Sequence, residues 1–156
     1  MDKPFIEDNT RERERLRKLV DELTDEELSL VIYKEGWTIA VVLAHLACWD
    51  QRRLVLMRKW KQKGKIPLGA LEEDVYDIFN DTMLPFLLKI PPRKAANLSV
   101  HTAEKIDREL EKAPPALIAA IDATGYPLGL NRSVHRKMHL DEIEKFLKAN
   151  NDKSSQ

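Results

Sequence analysis

Residues 38–64 form the clearest predicted helix of the chain and read TIAVVLAHLACWDQRRLVLMRKWKQKG. Thr38 is a good N-cap because its hydroxyl can accept a hydrogen bond from an amide of the first turn. Gly64 is typical of a helix C-terminus, where a left-handed residue is often needed. No Pro or Gly interrupts the residues between them, so we expect one long helix.

Upstream of this helix, the sequence predicts a first helix that starts at Asn9 or Thr10, since both residues are good caps. Its apolar residues follow the spacing of a single helical stripe, and they are Leu16, Leu19, Val20 and Leu23. Thr24 and Glu27 then form a capping-box pattern, which predicts a short helix directly after the first. This short helix is expected to fade near residues 34–36.

Downstream of the long helix, proline residues mark where helices end and restart. Residues 71–88 are predicted to be helical with an interruption at Pro85, because a proline inside a helix removes one backbone hydrogen bond. Ser99 or Thr102 is expected to cap the next helix. Residues 114–115 are both proline and fall inside its apolar stripe, so we expect a kink there or a new helix.

The last helix is predicted over residues 131–149. No segment shows the sustained polar and apolar alternation that indicates a strand. Four main helices with short connections, plus minor helices, fit an all-α fold of the four-helix-bundle type. We therefore expect one domain over residues 1–150, followed by a disordered tail at residues 151–156.

The composition of the chain excludes several classes of protein. The 156 residues hold 26 Lys plus Arg and 26 Asp plus Glu, and this balance argues against a nucleic-acid binder. The single Cys cannot form an internal disulfide or a Cys-based zinc finger. The apolar runs are far shorter than the ~20 residues that cross a bilayer, and the N-terminus has no apolar signal core. We expect a cytoplasmic protein that binds neither nucleic acid nor membrane.

Two of the four histidines, His135 and His139, are spaced i, i+4 in the last predicted helix. Their side chains would lie ~40° apart on one helix face, so both imidazoles could reach one metal ion. No Glu follows His135, which excludes the H-E-x-x-H motif of metalloproteases. Because such pairs also arise by chance, the spacing alone does not establish a metal site.

A third histidine, His45, is predicted to point into the bundle. The residues within ~60° of it on a helical wheel are mostly apolar, and they are Val41, Val42, Cys48 and Trp49. A buried imidazole needs a partner, because an unsatisfied polar group in a core is costly. Either a backbone carbonyl or a carboxylate satisfies it, or it meets His135 and His139 from a facing helix. Three histidines that leave a fourth position to water are typical of a catalytic metal site.

Three segments of the chain carry the motifs of one family. Residues 36–38 (GWT) and 42–50 (VLAHLACWD) match its first signature, in which a histidine precedes a tryptophan and an acidic residue. Residues 135–143 (HRKMHLDEI) match its H-x-x-x-H-l-x-x-I segment, and residues 79–80 (FN) match a short element between them. The chain thereby resembles the DinB-like superfamily over residues 10–148.

This resemblance implies an up-down-down-up four-helix bundle that is often dimeric, so a homodimer is one expected assembly. Members of the family include metal-dependent hydrolases and bacillithiol- or mycothiol-dependent S-transferases and isomerases. The resemblance also implies that His45, His135 and His139 bind a divalent metal. Val134 stands where the family commonly has an aromatic residue, which affects the expected pocket shape and substrate but not the ligands.

Three neutral imidazoles would leave a divalent ion its full charge, and such a centre can activate either water or a thiol. The ion could be Zn, Ni, Fe or Mn, and a low-molecular-weight thiol is a candidate second cofactor. Glu142 is a candidate base or ligand-orienting carboxylate, unless it is a solvent-facing charge. Arg52 is a candidate binder of an anionic substrate group, unless it forms an ion pair within the bundle.

Three functions remain open at this point. We favour a metal-dependent enzyme, of hydrolase or thiol S-transferase type, that acts on a small-molecule substrate. The alternatives are a non-catalytic metal- or small-molecule-binding bundle in a stress response, and a metal-free structural bundle with His45 held far from the other two ligands. Cys48 is expected to be a small core residue rather than a ligand or nucleophile, and His101 is expected to be exposed.

Overall fold

Helices make up most of the protein, as the sequence predicts. The computed structural model describes residues 3–64, 73–123 and 130–156. Its helices are α1 (Phe5–Glu22), α2 (Asp25–Leu28), α3 (Ile39–Lys63), α4 (Glu73–Leu87), α5 (Pro92–Lys112), α6 (Pro115–Ala123) and α7 (Ser133–Ser154). Between α2 and α3, two short strands, β1 (Val31–Tyr33) and β2 (Trp37–Thr38), pair antiparallel around a single 3-10 turn. The expectation of an all-α bundle is confirmed.

The long helices α1 and α5 lie antiparallel. Lys3, just before α1, donates through Nζ to the carbonyl oxygen of Ala113 at the end of α5, at 2.8 Å. At the opposite end, Arg93 near the start of α5 donates through Nη1 to the carbonyl oxygen of Val20, at 2.9 Å. These two contacts fix the relative direction of the two helices.

Helix α7 lies parallel to α1 and antiparallel to α3. The contacts that establish these directions are Asn9 with Ser133 and Arg15 with Glu144 for α1, and Asp50 with Arg132 and His45 with His139 for α3. Helices α1 and α7 therefore run one way and α3 and α5 the other. In chain order this is the up-down-down-up arrangement that the family resemblance implies.

The core consists of two apolar clusters with a polar layer between them. Arg136 in this layer has no exposed surface, and Asp50 and Asp107 are each 2% exposed. Arg136 donates through Nη1 to Asp107 Oδ2 at 2.9 Å and through Nη2 to Asp50 Oδ2 at 3.2 Å. Because a buried charge without a partner is strongly destabilising, this network fixes the register of α3, α5 and α7.

The predicted ends of α2 and α3 are confirmed. The Thr38 hydroxyl accepts a hydrogen bond from the Val41 amide at 3.1 Å. Gly64 ends α3 with a φ of 65°, in the left-handed region that favours glycine. Thr24 and Glu27 form the expected reciprocal capping box before α2. The short helix ends at Leu28, well before residues 34–36, and the hairpin occupies the following residues.

Helix α1 begins at Phe5 rather than at Asn9 or Thr10. The Asn9 side chain caps a different helix, because its Oδ1 accepts a hydrogen bond from the Ser133 amide at 2.9 Å. Its Nδ2 donates to the carbonyl oxygen of Leu130 at 3.0 Å. Asn9 therefore bonds a backbone amide at the start of α7 and not one in its own helix. The sequence around α1 gives no sign of this long-range contact.

Helix α5 begins at Pro92, so the prediction that Ser99 or Thr102 caps it is wrong. Both hydroxyls instead donate to carbonyl oxygens of the preceding turn, Ser99 to Ala96 and Thr102 to Leu98, each at 2.6 Å. The new helix expected at residues 114–115 is confirmed, because α6 begins at Pro115.

Three smaller differences concern helix continuity and strands. Pro85 lies within the last turn of α4 and does not interrupt it, although a proline there removes one backbone donor. Helix α7 continues to Ser154, into the segment for which we expected a tail, since residues 150–154 contain no Pro or Gly. The strands were not predicted because they are too short for an alternating pattern. Residues 71–72 of the helix predicted over 71–88 lie outside the described residues.

Within the described ranges, no helix is long and apolar enough to cross a membrane.

Candidate metal centre

Three histidines from two antiparallel helices meet beside the N-terminal half of α3. His45 points from α3 toward α7, and its Nε2 lies 3.1 Å from Nε2 of His135. His139 follows one turn later on α7, and its ring centroid is 5.1 Å from that of His45. One potential ligand atom from each residue lies within 4.8 Å of the others. The three histidines therefore lie as close together as we expect for a shared site. The alternative in which His45 is held far from His135 and His139 does not apply.

The donor atoms of this cluster fit a metal ion. Two nitrogens bonded to one ion at about 2.1 Å each lie about 3.0–3.4 Å apart, from octahedral to tetrahedral angles, and the His45 and His135 nitrogens are 3.1 Å apart. Nε2 of His139 is buried and has no hydrogen-bond partner among the described residues. Because a buried polar atom without a partner is costly, a ligand for this nitrogen would remove the penalty.

Burial keeps all three imidazoles neutral. Desolvation lowers the pKa of His45 to about 3, with a further lowering from His139 and a partial offset by a hydrogen bond from His45 to Asn80. Desolvation also lowers the pKa of His139 to about 4. The pKa of His135 falls to about 2, first through desolvation and then through its histidine neighbours. Neutral imidazoles present the free lone pairs that metal coordination requires.

Glu142 holds the third histidine from outside the cluster. Nδ1 of His139 lies 3.3 Å from Glu142 Oε2. Because a carboxylate only accepts hydrogen bonds, this contact places the proton on Nδ1 and leaves Nε2 free. Partial burial raises the pKa of Glu142 above its usual value. This contact fits the ligand-orienting carboxylate that Glu142 was expected to be, and its partner is His139, one turn before it.

A pocket of about 660 Å³ opens beside the three histidines. Four aromatic side chains contribute to its walls, and they are Tyr33, Trp37, Trp49 and Tyr76. Trp49, which lies close to His45 on the helical wheel, forms the wall next to His45. Exposed side chains such as Lys34 and Met138 form part of the lining, so the pocket reaches the surface. Its volume falls in the range of small-molecule sites.

Two arginines of this pocket were not predicted from the sequence. Arg53 follows Trp49 by one helical turn and lines the pocket. Arg132 also lines it and donates through Nε to Asp50 Oδ1 at 2.8 Å. The i, i+4, i+8 ridge from His45 through Trp49 to Arg53 is a signal that could have identified Arg53. The pairing of Arg132 with Asp50 joins residues far apart in the sequence and has no local signal.

The other candidate residues lie outside the three-histidine pocket. Arg52 lines a separate groove between α3, α4 and α5, and its guanidinium lies 5.5 Å from the Trp49 ring centroid. Cys48 and His101 line the same groove. Burial raises the pKa of the Cys48 thiol, which disfavours a reactive thiolate. His101 is exposed, as expected.

The fold and the site together define a class of protein. It is an up-down-down-up helical bundle in which the second long helix carries one histidine of a cluster and the fourth carries two. A family model for the DinB superfamily matches residues 9–140. The chain belongs to the DinB superfamily, and the resemblance drawn from its motifs is confirmed. Searches of curated proteins and of solved structures found no match.

Proposed function

We propose that this protein is a metal-dependent enzyme of hydrolase or thiol S-transferase type, with His45, His135 and His139 as the ligands of one divalent ion. The observation that carries the proposal is the buried Nε2 of His139, which has no hydrogen-bond partner within the described ranges and lies beside two further imidazole nitrogens. The open pocket next to them supports an enzyme over a closed structural site. Zn, Ni, Fe and Mn all suit this donor set.

A divalent ion held by three neutral ligands supplies Lewis acidity, which lowers the pKa of a water or thiol that it binds. The protein supplies the rest of the chemistry. The histidines remain deprotonated because they are buried. Glu142 orients His139 and keeps its proton on Nδ1, so that we assign it as a positioning residue. The aromatic walls hold a small-molecule substrate and exclude water from one side of the reacting group.

Arg52 has an indirect part in this proposal. Its guanidinium lies over the ring of Trp49, a wall residue of the histidine pocket, while Arg52 itself lines the separate groove. Arg52 would therefore support the pocket wall rather than bind an anionic substrate group itself. Homodimerisation, a cytoplasmic location and a low-molecular-weight thiol as cosubstrate stay predictions.

Metal content is the first test of this proposal. Plasma mass spectrometry would compare tag-free wild type with His135→Ala and with His101→Ala, the matched control from outside the cluster. We expect about one divalent ion per chain in wild type and in His101→Ala, and its loss in His135→Ala. Absence of metal from wild type after reconstitution with zinc and with nickel would overturn the proposal and favour a metal-free bundle.

A second assay separates an enzyme from a metal-binding bundle without activity. The loaded protein would be given a chromogenic ester in water, and separately an alkyl halide with and without cysteine as the thiol. A hydrolase releases the alcohol, whereas a thiol transferase joins the sulfur to carbon and releases halide. Activity that His135→Ala loses and His101→Ala keeps would support the enzyme. Bound metal with neither activity would favour the non-catalytic alternative.

A further inference from the structure

A second cavity, of about 510 Å³, lies between α3, α4 and α5 and contains none of the three clustered histidines. Its volume falls in the range of small-molecule sites. All three helices contribute apolar side chains to this α3–α4–α5 groove, and six of them are Ala44, Ala47, Cys48, Val55, Met83 and Leu98. From Ala44 to Val55 the groove follows α3 for about 16 Å. An elongated apolar lining favours an extended apolar ligand, because burial of apolar surface stabilises the bound state.

Positive charge lies at one end of this groove. Lys105 of α5 is exposed and lines the groove. Glu109, one turn later, pairs with Arg58 of α3. Because α3 and α5 run in the same direction, Lys105 lies level with the Val55 end of the groove. Within the described ranges, Lys105 has no carboxylate partner, and no Asp or Glu lines the groove. The charge at this end therefore suits an anion.

Arg52 and Cys48 also line the groove, but neither is placed to hold the anion. The guanidinium of Arg52 lies 5.5 Å from the Trp49 ring centroid, so its charge already has an aromatic partner. Burial raises the pKa of the Cys48 thiol, and a neutral thiol packs like a small apolar group. The contact with an anion therefore falls to Lys105, with the exposed imidazole of His101 one turn before it.

We infer that the α3–α4–α5 groove is a second ligand site, which binds a carboxylate with a long unbranched alkyl chain, as in a fatty acid. The chain lies along the apolar residues of the groove, and the carboxylate accepts a charge-assisted hydrogen bond from Nζ of Lys105. A groove that is apolar along its length and charged at one end matches a ligand with the same division. This site is separate from the proposed metal centre and needs no metal.

Cys48 provides a local probe of this groove, because it is the only cysteine of the chain and lies half-buried in the lining. The rate of its modification by N-ethylmaleimide would be measured with increasing decanoate, on zinc-loaded and on metal-free protein. We expect saturable protection in both forms. Octanoate should bind about 15-fold more weakly, since each methylene group contributes about fourfold. Decanamide, which lacks the charge, should bind about tenfold more weakly than decanoate.

Lys105→Gln tests the assigned residue, and Lys94→Gln is its matched control. Lys94 lies on the same helix, is exposed, and does not line the groove. We expect Lys105→Gln to weaken decanoate by about tenfold while the affinity for decanamide is unchanged. Lys94→Gln makes the same change in net charge and should alter neither affinity. Both side chains are exposed, so neither substitution should affect folding.

Any one of four results would overturn the inference. They are a modification rate of Cys48 that decanoate does not change, equal affinities for decanoate and decanamide, equal effects of Lys105→Gln and Lys94→Gln, and protection that occurs only in the zinc-loaded form. A second copy of the chain in the groove would be recognised by protection of Cys48 that rises with protein concentration in the absence of ligand, and it would also contradict the inference. Failure of the proposed function is separate, because it is read from metal content.

Discussion

Glu142 lies outside the pocket yet controls the state of a residue inside it. Its contact with Nδ1 of His139 leaves the other ring nitrogen free to face the cluster. We expect Glu142→Ala to weaken metal binding by about 10–100-fold, the usual effect of losing such a partner. The measurement is a competitive titration with a chelating dye. Glu144→Ala is the control, since Glu144 pairs with Arg15 on the outer surface, and an equal loss there would contradict the assignment.

The three histidines could be predicted from the sequence, whereas their supporting residues could not. His135 and His139 are linked by helical spacing, and the apolar neighbours of His45 indicate that it is buried. Arg53 was missed and Arg52 proposed instead, because a helical wheel gives directions around one helix but does not show where the pocket opens. In the structure the pocket opens on the side of α3 that carries Trp49. The arginine on that side is Arg53, the residue after Arg52.

At the scale of elements, one side chain of α1 determines how α7 starts. Asn9 is 2% exposed and contacts both the Ser133 amide and the Leu130 carbonyl. Asn9→Ala should lower the free energy of unfolding by about 1–2 kcal/mol, because α7 loses a cap and two buried groups lose a partner.

The measurement for Asn9 is urea denaturation followed by circular dichroism. Thr10→Ala is the matched control from the next position, and we expect it to change stability by no more than about 0.5 kcal/mol. Equal losses in the two variants would mean that helix propensity in α1, and not the link to α7, accounts for the effect of Asn9→Ala.

Helix ends were predictable where the cap acts within its own helix. Thr38 and Gly64 obey local rules, so α3 could be placed from its sequence alone. Asn9 and Ser99 have the same cap chemistry, but their partners lie on another helix or in the preceding turn. The residue type determines which hydrogen bonds a side chain can form. Which group it bonds depends on how the helices pack.

For the whole molecule, breaking the buried ion network is expected to be strongly destabilising. Arg136→Leu would leave Asp50 and Asp107 buried with a partner removed, and we expect a loss of about 3–5 kcal/mol. Arg17→Leu is the comparison, because Arg17 is half exposed and pairs with Glu104 at the surface, where about 1 kcal/mol or less is expected. Thermal unfolding would measure both, and similar losses would contradict the assigned role.

The metal-free protein should lose stability in mild acid. The pKa values of His45, His135 and His139, about 3, 2 and 4, lie below the usual 6.5. Between pH 6.5 and about 4 the unfolded chain therefore binds more protons than the folded chain, so stability is full above 6.5 and falls as pH falls. In this range the free energy of unfolding falls by about 1.4 kcal/mol per pH unit for each histidine that stays neutral in the folded protein.

Urea denaturation at pH 7.5 and pH 5.5 would measure this dependence. His135→Gln should show a smaller difference between the two conditions than wild type, since one buried histidine is gone. His101→Gln keeps all three buried histidines and should show the wild-type difference. A wild-type stability that is equal at the two pH values would contradict the prediction.

The links that close the bundle join distant parts of the chain. Asn9 contacts Ser133, 124 residues later, and His45 contacts His135, 90 residues later. Such non-local contacts form only after a large loop has closed. During synthesis on a ribosome, α1 and α3 emerge long before α7 exists. Until then the polar side chains that contact α7 in the folded protein have no partner there. The nascent chain therefore cannot complete this core until α7 has left the ribosome, which leaves the apolar faces of the earlier helices open to chaperones until then.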